Sequence, residues 1–197
     1  MRIFVALEIP EAVRTRIASF IDHIREFAPQ ARWVRPESLH LTLKFIGEKQ
    51  PAEVERIIQS LAEIKGEGCF DVVFRGSGFF PNAKAARVLW VGIKENSHLT
   101  KLANLVDEAC GKTGVAREER EFNPHLTLAR AGSSGVPYQI QGDRKKRTFE
   151  KLQERLAEME TPDFGTMKAC EFILYHSKLS PRGAHYTALA RFLLEKS

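Results

Sequence analysis

The 197-residue chain is 43% apolar and 28% charged, a balance that excludes a disordered polymer and suits one domain or two small lobes sharing a core. No apolar run approaches the roughly 20 residues that span a bilayer, and Glu8 interrupts the opening apolar stretch too early for a signal peptide. Net charge is +5, with a pI near 9.2, a mild pointer to a polyanionic partner such as nucleic acid.

In chain order, Met1 to Ile9 is β-branched and aromatic and stops at Pro10, which predicts a strand. Val13, Ile17, Phe20, Ile21, Ile24 and Phe27 follow at helical spacing and predict a helix from Glu11 to Ala28. Arg32-Trp33-Val34 reads as a short strand, Pro36-Glu37-Ser38 as a turn, and His40 to Gly47 as a longer strand. Pro51 suits a first helical position, and Val54, Ile57, Ile58, Leu61 and Ile64 carry that helix towards Gly66. Cys69, Cys110 and Cys170 are widely spaced and odd in number. They fit neither a disulfide framework nor a CxxC metal knuckle, so a reducing, cytoplasmic setting is expected.

Phe70 to Phe80 reads as a strand bent at Gly76 and Gly78, and Arg87 to Ile93 as another. Ser97 is the expected N-cap of a helix running to about Gly111. A charged segment, Arg117 to Glu121, leads through Phe122-Asn123-Pro124 to a strand at His125. Ala131 to Arg147 is polar and Gly/Ser-bearing, so a loop is expected, and its basic run Arg144-Lys145-Lys146-Arg147 reads as solvated or as a contact for RNA backbone. Phe149, Leu152, Leu156 and Met159 mark a further helix. Lys168–Ser177 and Ala184–Leu194 read as a closing hairpin, with Tyr186 and Arg182 as candidate neighbours of a cleft.

Two stretches carry the chemistry. His40-Leu41-Thr42-Leu43 recurs as His125-Leu126-Thr127-Leu128, 85 residues later. Strand alternation puts His40, Thr42 and Lys44 on one face and Leu41, Leu43 and Phe45 on the other. His98-Leu99-Thr100 matches the letters, but it sits at a helix start, where residues two apart point about 200° away from each other. One His-x-Thr carries little weight, because a strand histidine is often just a half-buried, hydrogen-bonded residue. A pair in matched context carries much more. Arg2-Ile3-Phe4-Val5 and Arg87-Val88-Leu89-Trp90 precede the two motifs at the same offset of 85, which predicts a strand–helix–strand unit used twice, with two lobes facing each other. The register of the repeat is expected to be lost after Leu128.

Two facing imidazoles suit acid–base chemistry, since with an ordinary pKa of about 6.5 one is neutral while the other is protonated near neutral pH. One takes a proton from a nucleophile while the other gives one to a leaving oxygen, each role contributing about 10²–10⁴-fold. The hydroxyls of Thr42 and Thr127 can donate to non-bridging phosphate oxygens and steady the developing charge. No metal and no covalent nucleophile is required. A zinc site is the weaker alternative, because two histidines give only two ligands and no Cys, Asp or Glu stands at ligand spacing.

With these residues in view, the sequence resembles the two-histidine phosphoesterases and their paired HxTx motifs. More specifically it is similar to the RNA 2′,3′-cyclic phosphodiesterases, also called 2′-5′ RNA ligases, of bacteria and archaea. The likeness includes Arg2 to Leu7, Leu39 to Gly47, Pro124 to Leu128, and Ser177 to Gly183. It implies an α+β fold for residues 1–197 as a single two-lobed domain, with two antiparallel sheets lining a central cleft and helices outside. It also implies hydrolysis of an RNA-terminal 2′,3′-cyclic phosphate to a 2′-phosphate without cofactor, with reversible joining of tRNA halves in some members.

By that resemblance His40 is the proton donor and His125 the acceptor, although the near-symmetric repeat leaves the two roles interchangeable. Arg130, five positions after the second histidine, is implied as a substrate contact, which strict alternation allows only at a bulge or a strand end. Phe45 holds the matching place in the first lobe, where it could stack a base but is expected in the core. The partner is RNA, with no membrane or metal, and the chain is expected to be a monomer. Two readings compete: 2′-5′ ligation by the same site in reverse, and a module that only binds a terminal phosphate.

Overall fold

The computed structural model describes residues 1–65, 68–132, 148–180 and 183–194. Arg182 and the basic run 144–147 lie outside the described residues. The chain opens with β1 (Arg2–Glu8), whose interior residues Ile3 to Leu7 are all buried. Pro10 ends it and caps α1 (Glu11–Ile24), which buries Val13, Ile17, Phe20, Ile21 and Ile24. The helix was expected to reach Ala28, but its last turn tightens into a 3₁₀ turn at Arg25–Phe27. β2 (Arg32–Trp33) and a 3₁₀ turn at Pro36–Ser38 then lead into β3 (His40–Glu48). α2 (Pro51–Ala62) starts at Gln50, where the Glu53 carboxylate accepts from the Gln50 amide at 2.8 Å to complete a capping box.

β4 (Phe70–Phe80) and β5 (Val88–Ile93) follow, then α3 (Ser97–Lys112). Asn96, rather than Ser97, caps that helix, its side chain accepting from the Leu99 amide at 3.0 Å. His98 is confirmed on a helix, stacked on Phe70, and belongs to no paired motif. After β6 (His125–Arg130) come α4 (Glu150–Ala157), β7 (Asp163–Ala169), β8 (Glu171–Ser180) and β9 (Gly183–Leu193).

The strands form two antiparallel sheets, in order β3-β1-β8-β9 and β2-β6-β5-β4-β7. The expected α+β class, two sheets and outer helices hold. The closing hairpin needs correction. Lys168 and Ala169 pair with Asp71 and Phe70 in the second sheet, whereas Glu171 onward belongs to the first. Between Met167 and Leu174 no Gly, Pro or other turn residue interrupts the strand-like run, so nothing in it marks Cys170 as the crossing point.

Cys170 is joined to Cys69 as a disulfide across 101 residues of sequence, while Cys110 is free and buried. The expectation of three reduced, unpaired cysteines is thus corrected. The β4–β7 pairing makes the bond possible, because Phe70 and Ala169 stand opposite each other just beside the two sulfurs.

The two halves interlock. α1, from the first half, packs on β7 of the second sheet, and α3, from the second half, packs on β3 of the first. β2 also crosses over, joining β6. The repeat is real but its arithmetic shifts. Phe4 pairs with Phe45 and Val88 with Arg130, so the opening strands are offset by 84 residues (4 to 88) and the motif strands by 85 (45 to 130). No described helix is long and apolar enough to cross a membrane.

A further correction concerns Lys44. The β1–β3 register passes from Val5 opposite Lys44 to Ala6 opposite Thr42, so Leu43 is the extra residue of a β-bulge. Lys44 therefore turns away from His40 and is buried, its ammonium donating to Asp107 on α3 and, at 2.9 Å, to the Ala116 carbonyl. Arg117 and the Glu118 amide also donate to Asp107. Burial alone would raise the Asp107 carboxyl, but these hydrogen bonds outweigh it and hold the group below the usual carboxylate range.

Removing one partner of such a pair leaves an uncompensated buried charge. Asp107→Ala should cost about 3–5 kcal/mol in urea unfolding, and Lys44→Met/Asp107→Ala should recover most of that loss. A single variant as stable as the parent protein would contradict the arrangement.

Candidate active site

Each motif histidine is the first residue of its strand, delivered by a short turn. The 3₁₀ turn at Pro36–Ser38 sets the Ser38 carbonyl 2.8 Å from His40 Nδ1. Before β6, the Asn123 carbonyl lies 2.8 Å from His125 Nδ1, with Pro124 between them. A carbonyl only accepts, so Nδ1 carries the hydrogen in both rings and each neutral imidazole keeps its lone pair on Nε2. Two independent tethers, each to the residue two positions upstream, impose the same tautomer.

Burial along the two strands matches position by position. His40 to Phe45 and His125 to Arg130 both run half-buried, buried, half-buried, buried, buried, exposed. The double buried step is the bulge. In β6 the register passes from Leu89 opposite Ala129 to Trp90 opposite Thr127, leaving Leu128 as the extra residue. Arg130 is thereby returned to the face of His125 and Thr127, as the bulge alternative required. The same device corrects Phe45, which was expected in the core. It is 66% exposed on the His40 face, its ring 5.9 Å from that of Phe4. Structural equivalence of the two lobes thus continues through residue 130, beyond the Leu128 limit expected from the sequence.

Although they lie in different sheets, β3 and β6 approach within 8 Å between Cα atoms. The surroundings differ. His40 is packed by Phe4, with ring centroids 4.7 Å apart, and by the edge of Tyr186 at 4.8 Å. This burial lowers the His40 pKa below its ordinary value, outweighing the Ser38 hydrogen bond, which acts in the opposite sense. Beside His125 stands Phe80, edge-on at 4.9 Å. The floor of the second sheet depends on two close approaches at glycine. A Cβ on Gly78 would lie 2.4 Å from the Trp90 ring, and one on Gly92, opposite His125, 2.6 Å from the Arg75 carbonyl oxygen.

Phe4, Phe80 and Trp90 were not picked out as site residues from the sequence. Strand pairing supplies the missing signal, since Phe4 stands opposite Phe45 and Trp90 opposite Thr127. Tyr186, a candidate that could not be placed, is at the site. Burial raises its hydroxyl pKa, while the charges of Arg2 and Arg130 act the other way. Among the described residues, no group of three His, Cys, Asp or Glu side chains gathers where it could hold a metal ion.

Comparison with known proteins agrees with the duplicated geometry. The family model described as LigT like Phosphoesterase matches twice, over residues 7–90 and 91–186. A Methanothermobacter thermautotrophicus protein named RNA 2′,3′-cyclic phosphodiesterase is 31% identical over 195 residues, covering 98% of this chain and 99% of that protein. An Archaeoglobus fulgidus protein of the same name is 32% identical over 192 residues, covering 98% and 99%. The crystal structure of E. coli LigT complexed with 3′-AMP superposes with a TM-score of 0.76 at 26% identity, covering 98% of this chain and 97% of that one. Two tethered histidines on duplicated, bulged strands and both matches of the family model lead to one statement: the chain belongs to the LigT-like phosphoesterase family.

Proposed function

We propose that the protein is an RNA 2′,3′-cyclic phosphodiesterase that opens an RNA-terminal cyclic phosphate to a 2′-phosphate. The observation that carries this reading is the pair of imidazoles locked in the same tautomer on strands that approach one another. Full-length relatives bearing that activity in their names support it.

In this reading His125 Nε2 takes a proton from water as the water attacks phosphorus. The bond from phosphorus to the 3′ oxygen breaks, and His40 Nε2–H protonates that leaving oxygen. The 2′ oxygen keeps the phosphate. Thr42 and Thr127 donate to non-bridging oxygens, where donors placed for the transition state are worth most. Arg130 contacts a phosphate oxygen and Phe45 stacks a base. With an RNA 5′-hydroxyl in place of water, the same steps would give a 2′-5′ linkage, so joining of tRNA halves is the second reading. Both motifs come from one chain, which suits a monomer acting as a single two-lobed unit over residues 1–197.

The decisive assay follows an oligoribonucleotide ending in 2′,3′-cyclic phosphate, with EDTA present. Full turnover to a 2′-phosphate end is expected, with His40→Ala and His125→Ala each losing about 10²–10⁴-fold in kcat. Unchanged turnover in either variant would sink the two-histidine mechanism, and tight end-binding without turnover would favour a binding module. Parallel reactions with tRNA halves, lacking ATP, report ligation.

The pH dependence follows from the burial of His40. Its lowered pKa means that the ring gives up its proton at a lower pH than an ordinary imidazole, so the imidazolium that donates from Nε2 is its less populated form near neutral pH. Whichever ring donates, kcat/KM should rise with pH through the lower constant of the pair, giving an acid limb below 6.5. The Cε1–H NMR signal of His40 should titrate with a midpoint below the ordinary imidazole value. A His40 midpoint at or above 6.5 would contradict the packing of Phe4 and Tyr186 around it.

A further inference from the structure

β2 has only two residues, and they point opposite ways. Trp33, opposite Ala129, packs on the core and donates its indole N–H to the Ala28 carbonyl at 3.2 Å. Arg32 is exposed and stands directly opposite Arg130. Facing residues of an antiparallel pair share a face, so Arg32 projects on the same side as His125, Thr127 and Arg130. The strand is held there by pairing with β6 and by the Val34 amide donating to the Leu128 carbonyl at 2.8 Å.

Like charges at facing positions, with Cβ atoms about 4.5–5.5 Å apart, repel each other. Arg25, Arg117, Arg155 and Arg191 each pair with a carboxylate. Among the described residues, Arg32 and Arg130 have no such partner. Two unneutralised guanidinium forks on one face suit phosphate oxygens, which they engage bidentately.

The reacting phosphate belongs between the two Nε2 atoms. Arg32 is further out, on the edge strand of the second sheet and five residues along from the His125 row. An anion there is a neighbouring phosphate of the same strand. A base-specific contact is disfavoured, because a guanidinium pair at a sheet edge grips backbone whatever the sequence.

We infer that Arg32 holds the RNA backbone phosphodiester on the 5′ side of the terminal nucleoside, extending the site from a cyclic phosphate to an RNA strand. This inference rests on the proposed RNA-end activity and adds a subsite to it. Arg130 lies between that subsite and the reacting phosphate. A mononucleotide has no phosphodiester to place there, so chain length becomes a determinant of KM.

The test compares a nucleoside 2′,3′-cyclic monophosphate with a short oligoribonucleotide ending in the same group, using the parent protein, Arg32→Gln and Arg32→Lys. For the oligonucleotide, Arg32→Gln should lower kcat/KM about tenfold through KM, while the mononucleotide stays within about twofold. The slope of log KM against log salt should fall by about 0.7 for the oligonucleotide, the share of one single-strand phosphate. Arg32→Lys should keep most of both. Equal losses on the two substrates, or no loss on either, would overturn the inference. If the parent protein turns over neither substrate, it is the proposed activity that fails. The Arg32 subsite is then judged by fluorescence anisotropy with an oligoribonucleotide ending in 2′-phosphate: weaker binding to Arg32→Gln with the smaller salt slope supports it, and identical binding overturns it.

Discussion

A strand offers every second residue to one face, yet the cleft draws on the first, third and sixth residues of each motif strand. The bulge at Leu43, and its twin at Leu128, reconciles the two demands. One added residue lets His40 and Thr42 share a face with Phe45, and His125 and Thr127 with Arg130. It also sends Lys44 and Ala129 to the buried side. Without the bulge, an arginine would enter the core of one lobe and a phenylalanine that of the other, while a lysine would face the reacting phosphate.

The cost of the first bulge is a buried ammonium, and Asp107 offsets it. That carboxylate also takes hydrogen bonds from Arg117 and the Glu118 amide, so the segment leading to Asn123 and His125 is anchored to the strand that starts at His40. The interlocked halves follow the same logic, with α1 on the second sheet and α3 on the first. Neither motif strand is packed by its own half alone, which ties the spacing of the two imidazoles to the packing of the whole core. Within that frame the lobes differ where chemistry can use a difference. His40 lies between Phe4 and Tyr186, and His125 lies against Phe80.

Much of this was legible in the residues. The duplicated His-x-Thr letters, the flanking apolar alternation and the likeness of the opening strands carried the two-lobed α+β fold and singled out the four residues on which the proposed site rests. Alternation failed at Lys44 and Phe45, because a bulge is set by sheet register and leaves no mark in a regularly alternating run. Its trace was present at Arg130, which the family likeness placed on a face that alternation forbade. The crossing at Cys170 was hidden for a related reason: no turn residue stands between Met167 and Leu174, and which sheet a strand joins is set by its pairing. The Cys69–Cys170 bond depends on strand pairing across 101 residues, which cysteine counting cannot reveal.

The central claim is that two identically tethered imidazoles act on one phosphate through their Nε2 atoms. Nitrogen-15 NMR of the histidine side chains tests it most directly, first in the free protein and then with a nucleoside 2′-monophosphate added. Nδ1–H tautomers are expected for both neutral rings, with ligand-induced shifts at both Nε2 atoms and both Nδ1 atoms still protonated. An Nε2–H tautomer in either free ring, or a response confined to one histidine, would contradict it.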